Sequence, residues 1–490
     1  MNKKEEERGL TFVIVGASIA GLSSAIALKA SGHDVLVLEK ETQLGGPDSI
    51  PNGGVRLAPN GCKVLFDWGL EAEIKAKSVI GAGFTLYKYD HGGNESGRDF
   101  LGTNIWDPQL PIEARGDFLQ MRHKDLLRIL CDTAIKEPTG IPEGHSPTVR
   151  VLFGSEVTDV NLDACSVTLR SGEVHTGDVV VGADGACGLI RSRLITEENG
   201  RADIPTGLAV YSAVIPKAVA VKDKELAKLY ESPLRNMATI SLGPNRGAKV
   251  FLVGEDDSED VSFCVYTLDS PQNGTWTQEA ERKMSEIVGR CDNQLQRLAA
   301  LAGPSTCVQM KDYYELESWV SQSGKVLALG EAAHPFPTIS LHTYSVAIED
   351  GAFLGTIFSR TRSSERIREF LHAFELQRKP RCTYINHSEK QYLETLTLPD
   401  GPLQEERDAT MRANEAAGRN VMDAPEADLQ QIWESMRKVF GYEPADDADE
   451  WWMAWGRLRD ASTGKVDHVA RRLTVTKSTD GSVVGSQRSY

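Results

Sequence analysis

The sequence predicts an α/β fold, with a parallel or mixed sheet flanked by helices, an antiparallel sheet inserted into it, and a helical C-terminal region. Three observations predict this. A short apolar run, Thr11–Val15, meets a glycine-bearing turn and then a stretch with helical spacing. Two more apolar runs, 179–181 and 326–329, end in similar turns far downstream. Between those two lie several runs rich in β-branched and aromatic residues, the pattern of antiparallel strands.

In chain order, TFVIV at 11–15 reads as a fully buried strand. Ile19, Leu22 and Ile26 then recur at helical spacing until Ser31-Gly32 stops the helix. DVLVL at 34–38 is a second buried strand ending at Glu39, which completes a βαβ unit. Strands are expected at 206–215, 237–243, 249–253 and 261–267, followed by a helix over 277–301. Residues 364–395 and 404–460 read as mostly helical, and the Ser/Thr/Gly-rich 474–490 as a flexible tail.

Composition narrows the function. In 490 residues, 54 Lys plus Arg stand against 70 Asp plus Glu, a formal net charge of −16. So acidic a chain lacks the basic face a general nucleic-acid binder needs. It can still hold a pyrophosphate, through backbone N–H groups at a helix N-terminus. The eight cysteines are scattered without a C-x-x-C pair, which suits reduced thiols. No apolar run approaches the ~18 residues of a membrane span, so no membrane span is expected and a cytoplasmic location is.

The first motif is Gly16-Ala17-Ser18-Ile19-Ala20-Gly21, directly after a strand and opening a helix. Gly16 permits a tight turn, Gly21 a close helix–strand approach, and the helix N-terminus faces a pyrophosphate. Glu39 ends the next strand, where its carboxylate can accept ribose hydroxyls. Ser18 occupies the place of the fingerprint's middle glycine. The pattern predicts a bound dinucleotide, with Gly16, Ser18, Ala20, Gly21 and Glu39 contacting it.

Two further motifs follow in order: Gly182-Ala183-Asp184-Gly185-Ala186-Cys187-Gly188-Leu189-Ile190-Arg191, then Gly330-Glu331-Ala332-Ala333-His334-Pro335 with Ile348-Glu349-Asp350-Gly351. With these the chain resembles the class A FAD-dependent monooxygenases, the p-hydroxybenzoate and salicylate hydroxylase family, over roughly residues 10–395. The resemblance implies a Rossmann-like FAD-binding domain carrying an inserted substrate sheet. It divides the chain into a first cofactor part, 10–205 (with an excursion into the substrate sheet near 84–115), and the substrate sheet itself, 206–305. A last cofactor part, 306–365, and a helical region, 366–473, complete it. It also implies that Asp184 serves both the FAD pyrophosphate and the nicotinamide donor, and that Glu331 holds the ribityl chain. The 52–60 segment, with Gly53, Gly54 and Arg56, resembles the loop beside the flavin. Met121–Leu126 resembles the helix start from which an arginine, here Arg122, reaches FAD, although strict register places His123 there. Tyr344 is expected against the cofactor. The 374–381 segment, FELQRKPR, resembles the family's closing YExxRxxR.

The implied reaction is NAD(P)H-dependent hydroxylation of a phenolic or phenolic-acid substrate by O2, via a flavin hydroperoxide. Decarboxylation accompanies it where a carboxylate sits beside the attacked carbon. Epoxidation or oxidation of a non-aromatic skeleton, and a catalytically idle flavin-binding protein, are the alternatives. The departures from the family are Ser18, Glu331 in place of Asp, Gly188 in place of Ser, and Leu341-His342-Thr343 in place of G-Q-G. Side chains at 341–343 are expected to crowd the flavin ring.

Catalytic candidates are His342, Tyr211 and Pro337. His342 and Tyr344 either line the substrate pocket or fill the space of the missing glycines. Tyr211 either donates to a phenol or packs in the sheet. No metal site is expected, since no histidines pair at i, i+4 or beside an acidic run. Trp451, Trp455 and Leu458 fall at helical spacing and read as packing or as a homodimer face.

Overall fold

The computed structural model describes residues 9–50, 53–90, 98–137, 146–269, 274–338, 340–423 and 429–456. Two sheets organise it. The first has five parallel strands in the order Val326–Ala328, Val179–Gly182, Thr11–Val15, Asp34–Leu38, Val149–Leu152. Its inner strands are almost wholly buried, which explains their unbroken β-branched runs. Helix Ile19–Ala30 leaves the end of the central strand and packs along helix Thr343–Phe358. The two backbones approach closely because position 351 is glycine: a Cβ there would stand 2.6 Å from the Ser23 carbonyl carbon.

The second sheet has seven strands, ordered Thr306–Asp312, Ile204–Ile215, Asp260–Leu268, Arg246–Val253, Met237–Gly243, Gly83–Lys88, Phe100–Ile105. It is antiparallel except for one parallel pair, Met237–Gly243 with Gly83–Lys88. Tyr211 pairs with Val265 and Val250 with Phe263. These side chains pack with Leu226, Leu295 and Leu298 in an apolar core on one face of the sheet. Side chains alternate across a strand, so Ser212, Cys264, Lys249 and Tyr266 occupy the other face.

The helix expected over 277–301 is two short ones, Met284–Ile287 and Asn293–Leu301. Gly289 adopts a left-handed φ of 62° between them, and Asp292 caps the second by accepting from Leu295 N at 2.9 Å.

Helix Ile367–Leu396 is tied to helix Thr343–Phe358 by a buried ion network. Arg378 donates to Glu349 at 2.7 Å and to Asp350 at 2.8 Å. Arg381 donates to Glu349 as well, and Asp350 accepts from the backbone N–H of Gly330 at 2.9 Å. Trp451 is buried against Phe370, whereas Trp455 is exposed; Leu458 and the 474–490 tail lie outside the described residues. No helix among the described residues is long and apolar enough to cross a membrane.

Candidate active site

A cleft of about 490 Å³ runs from the end of strand Thr11–Val15 to the Ser212–Cys264 face of the second sheet. Gly16, Ser18, Ala20, Glu39, Gly53, Gly54, Asp184, Glu331 and Tyr344 all line it. At its head, Glu39 accepts from the backbone N–H of Ala17 at 2.8 Å and of Glu41 at 2.9 Å, which fixes the carboxylate at the strand end. Ser18 fills its glycine's place without blocking the turn. Its hydroxyl donates to the Ala183 carbonyl at 2.9 Å and accepts from Gly21 N at 3.2 Å, so it caps the helix. The helix N-terminus still opens on the cleft.

Midway, Asp184 Oδ2 accepts from Ile190 N at 3.0 Å, while Oδ1 is buried with no hydrogen-bond partner among the described residues. Burial pushes this carboxyl up to about 6, against the pull of the Ile190 N–H. At Gly188, where the family has serine, a Cβ would fall 2.2 Å from the Asp184 carboxyl carbon, so the glycine leaves room for this placement of the carboxylate. Glu331 sits in the short turn Gly330–Ala332, and burial raises it as well. His123 lines the cleft beside Tyr344, with ring centres 5.8 Å apart, and its Nδ1 is buried without a hydrogen-bond partner among the described residues. Burial, helped by Lys124, lowers the imidazole to about 4, so it is neutral.

Six expected site residues do not line the cleft. Gly21 acts behind it, where a Cβ would meet the Gly16 carbonyl at 2.1 Å. Arg122 turns away to the Asp260 carboxylate, and the next residue, His123, takes the cleft position. Tyr211 lies on the opposite face of its sheet and donates to Asp269 at 2.7 Å. Pro337 belongs to a turn that accepts from Ser340 N at 3.1 Å. His342 stacks on Phe440, with centres 5.4 Å apart, and Leu341 packs with Phe118 and Phe440. Of the three residues expected to crowd the ring, only Thr343 reaches the cleft, and its hydroxyl is engaged with Ser340 at 2.7 Å.

The sixth, Arg56, lies just beyond the cleft in a cluster that sequence reasoning missed: Lys249, Tyr266, Glu389 and Tyr392, with His342 beside it. The available signal was Lys249, a lone charge inside the apolar run 247–253. His334 is also brought by the fold to Asp350, 2.6 Å away, with Cys382 alongside. The same Asp350 is already held by Arg378, whose charge opposes a cation there.

A helix N-terminus, a carboxylate at the strand end and unpartnered buried atoms of Asp184 and His123 along one cleft suit a dinucleotide. The FAD binding domain family matches residues 10–387. The chain belongs to this family. It is 26% identical over 442 residues to FAD-dependent monooxygenase OpS4 of Beauveria bassiana, covering 90% of this chain and 96% of that one. It is 27% identical over 411 residues to hispidin-3-hydroxylase of Neonothopanus nambi, covering 79% and 90%. A salicylate hydroxylase substrate complex shares the fold, with a TM-score of 0.64 at 17% identity, covering 90% of this chain and 98% of that one. The protein is an FAD-dependent monooxygenase of the aromatic-hydroxylase type.

Proposed function

We propose that this monooxygenase hydroxylates a phenolic or phenolic-acid ring, with NAD(P)H as the electron donor. The observation that carries the reading is continuity. The cofactor cleft ends on Ser212 and Cys264, and the same sheet face continues into Lys249 and Tyr266, a buried polar surface fit for an aromatic ring with oxygen substituents. The hispidin-hydroxylating relative supports the substrate class.

FAD supplies the redox chemistry and the activated oxygen when bound. The chain's own residues do the positioning. The N-terminus of helix Ile19–Ala30 takes the pyrophosphate, Glu39 the adenosine ribose, and Asp184 and Glu331 the middle of the cofactor. His123 and Tyr344 flank the cleft near Gly53, and the apolar packing of Leu341 and Phe440 keeps water from the substrate side. Where the ring bears a carboxylate at the attacked carbon, the same hydroxylation releases carbon dioxide.

The test is a panel of phenols and phenolic acids given to the FAD-loaded protein with NADH or NADPH. Substrate-stimulated NAD(P)H oxidation is expected, with a product heavier by one isotope-labelled oxygen drawn from O2. A yellow protein whose NAD(P)H oxidation no aromatic compound stimulates would overturn the reading.

A further inference from the structure

We infer that segment 274–280, from the seven-stranded sheet, is a strap across the cofactor cleft, latched by Thr277 on Glu41, which must open for FAD to enter or leave. The inference goes beyond the hydroxylase reading and does not depend on which ring is oxidised.

The strap is fixed at both ends. Gly274 lies against the edge strand Thr306–Asp312, where a Cβ would stand 2.2 Å from the Cys307 carbonyl oxygen, so the two backbones touch. At the other end Ala280 N donates to the Ser305 carbonyl at 2.7 Å. Between these anchors the chain reaches across to the other wall, and Trp276 and Thr277 line the cleft.

Thr277 makes the contact. Its hydroxyl donates to the Glu41 carboxylate at 2.9 Å. Its methyl group packs on the following turn, where a Cβ at Gly46 would fall 2.8 Å from Cγ2. Gly46 therefore serves both its left-handed φ of 76° and this close approach. The receiving loop is itself held firm. The Glu41 carbonyl accepts from Gly154 N at 2.8 Å, Gln43 donates to the Gly46 carbonyl at 3.0 Å, and Lys124 donates to the Pro47 carbonyl at 2.9 Å. Glu41 N holds the Glu39 carboxylate, so the latch closes two residues from the group assigned to the adenosine ribose.

Trp276 is the bulk that the latch carries. It is half-buried and packs against the Val210, Tyr266 and Met310 cluster, on the same sheet face as Ser212. One hydrogen bond thus bridges the two walls at the end of the cleft where Glu39 stands. A hydroxyl–carboxylate bond in a half-exposed place is strong enough to slow passage. It is also weak enough to open without unfolding either sheet.

The experiment measures FAD kinetics rather than turnover. Stopped-flow flavin fluorescence gives association with the apoprotein, and exchange of bound FAD for isotope-labelled FAD gives release. Thr277→Val should speed both rates roughly tenfold, as loss of one charge-assisted bond predicts, while the dissociation constant moves less than about threefold. Thr277→Ser keeps the hydroxyl and should match the wild type. Trp276→Ala leaves the latch but removes what it carries, and should also speed both rates. Glu41→Ala should match Thr277→Val, and the double variant should be no faster than either single one. If Thr277→Val does not fold, Glu41→Ala against Glu41→Gln reads the same bond from its other side, with the glutamine variant the slower. Rates within twofold of the wild type in Thr277→Val or Trp276→Ala overturn the strap. So does faster release with unchanged association, which would mark an ordinary grip on FAD, and so do additive effects in the double variant. Neither rate involves substrate or NAD(P)H, so this result and the hydroxylase reading can fail separately.

Discussion

Arg122 donates from Nε to the Asp260 carboxylate at 2.8 Å, and this bond directs the guanidinium away from the cofactor cleft. A second nitrogen donates to the Ser258 carbonyl at 2.8 Å, so both contacts tie strand Leu119–Arg122 to the 258–260 turn. His123, one residue on, lines the cleft and carries a buried ring nitrogen without a hydrogen-bond partner among the described residues.

His123→Ala should therefore raise the FAD dissociation constant about threefold to tenfold, the worth of one neutral hydrogen bond at ~0.5–1.5 kcal/mol. Arg122→Ala should leave FAD affinity within about twofold and lower the thermal midpoint instead. Fluorescence titration of the apoprotein with FAD checks both. If the arginine change weakens FAD and the histidine change does not, the cleft assignment is wrong.

Arg378 is fully buried between Glu349 and Asp350. Burial works against both carboxylates, yet Arg381 and Arg378 hold Glu349 low, and His334 and Arg378 hold Asp350 low. Arg378→Met would take one of two cations from each buried acid, leaving Glu349 with Arg381 and Asp350 with His334, a loss of ~1.5–3 kcal/mol. Because Asp350 also fixes the Gly330 N–H, the turn presenting Glu331 should loosen and FAD content fall. Urea unfolding of the apoprotein and flavin content after gel filtration measure the two effects. Wild-type stability would show that the network is not what holds helix Ile367–Leu396 in place.

Much of this architecture was legible in the residues, and the misses have physical causes. Thr11–Val15, Asp34–Leu38 and Met237–Gly243 have the bounds read from the sequence, since each is a compact apolar run closed by a turn residue or a charge. Tyr211 stayed open between a phenol contact and packing in the sheet because its strand is buried on both faces over 209–213, so alternation offers no polar–apolar contrast to choose between them. Only the packing of Leu295 and Leu298 decides that Tyr211 faces the helices. Leu341 and His342 were read against the cofactor because their neighbours in sequence are. Phe440, about a hundred residues later, draws them off, a contact no local pattern announces. Lys249 was overlooked as part of a strand, although a lone charge in an apolar run is the kind of inconsistency that marks a site.

Restoring the family's serine at position 188 should harm the protein. The glycine leaves room for the Asp184 carboxylate, whose oxygens would lie 2.4 and 2.5 Å from a new Cβ. Gly188→Ser must push the carboxylate out of its bond with Ile190 N, at a cost of ~1–3 kcal/mol typical of overpacking. A lower thermal midpoint and weaker FAD binding are expected. Unchanged values in both would mean that Asp184 has another rotamer of equal quality.

The Asp184 carboxyl itself should make the apoprotein's stability fall as pH rises. In the unfolded chain an aspartate ionises near ~3.9, whereas burial holds the folded group up to about 6. Below about pH 4 both states are protonated and the group is neutral in the balance. Between about pH 4 and pH 6 the unfolded chain ionises first, so folding loses free energy, and above that window the loss stays constant. Asp184→Asn keeps an oxygen for Ile190 N but cannot ionise. Its midpoint should therefore match the wild type near pH 4 and exceed it by pH 7, by an amount equivalent to ~1–3 kcal/mol. FAD affinity should fall in the same variant, separating what the carboxylate does for the fold from what it does for the cofactor. A wild-type apoprotein whose midpoint matches Asp184→Asn at every pH would show that this carboxyl titrates like an exposed one.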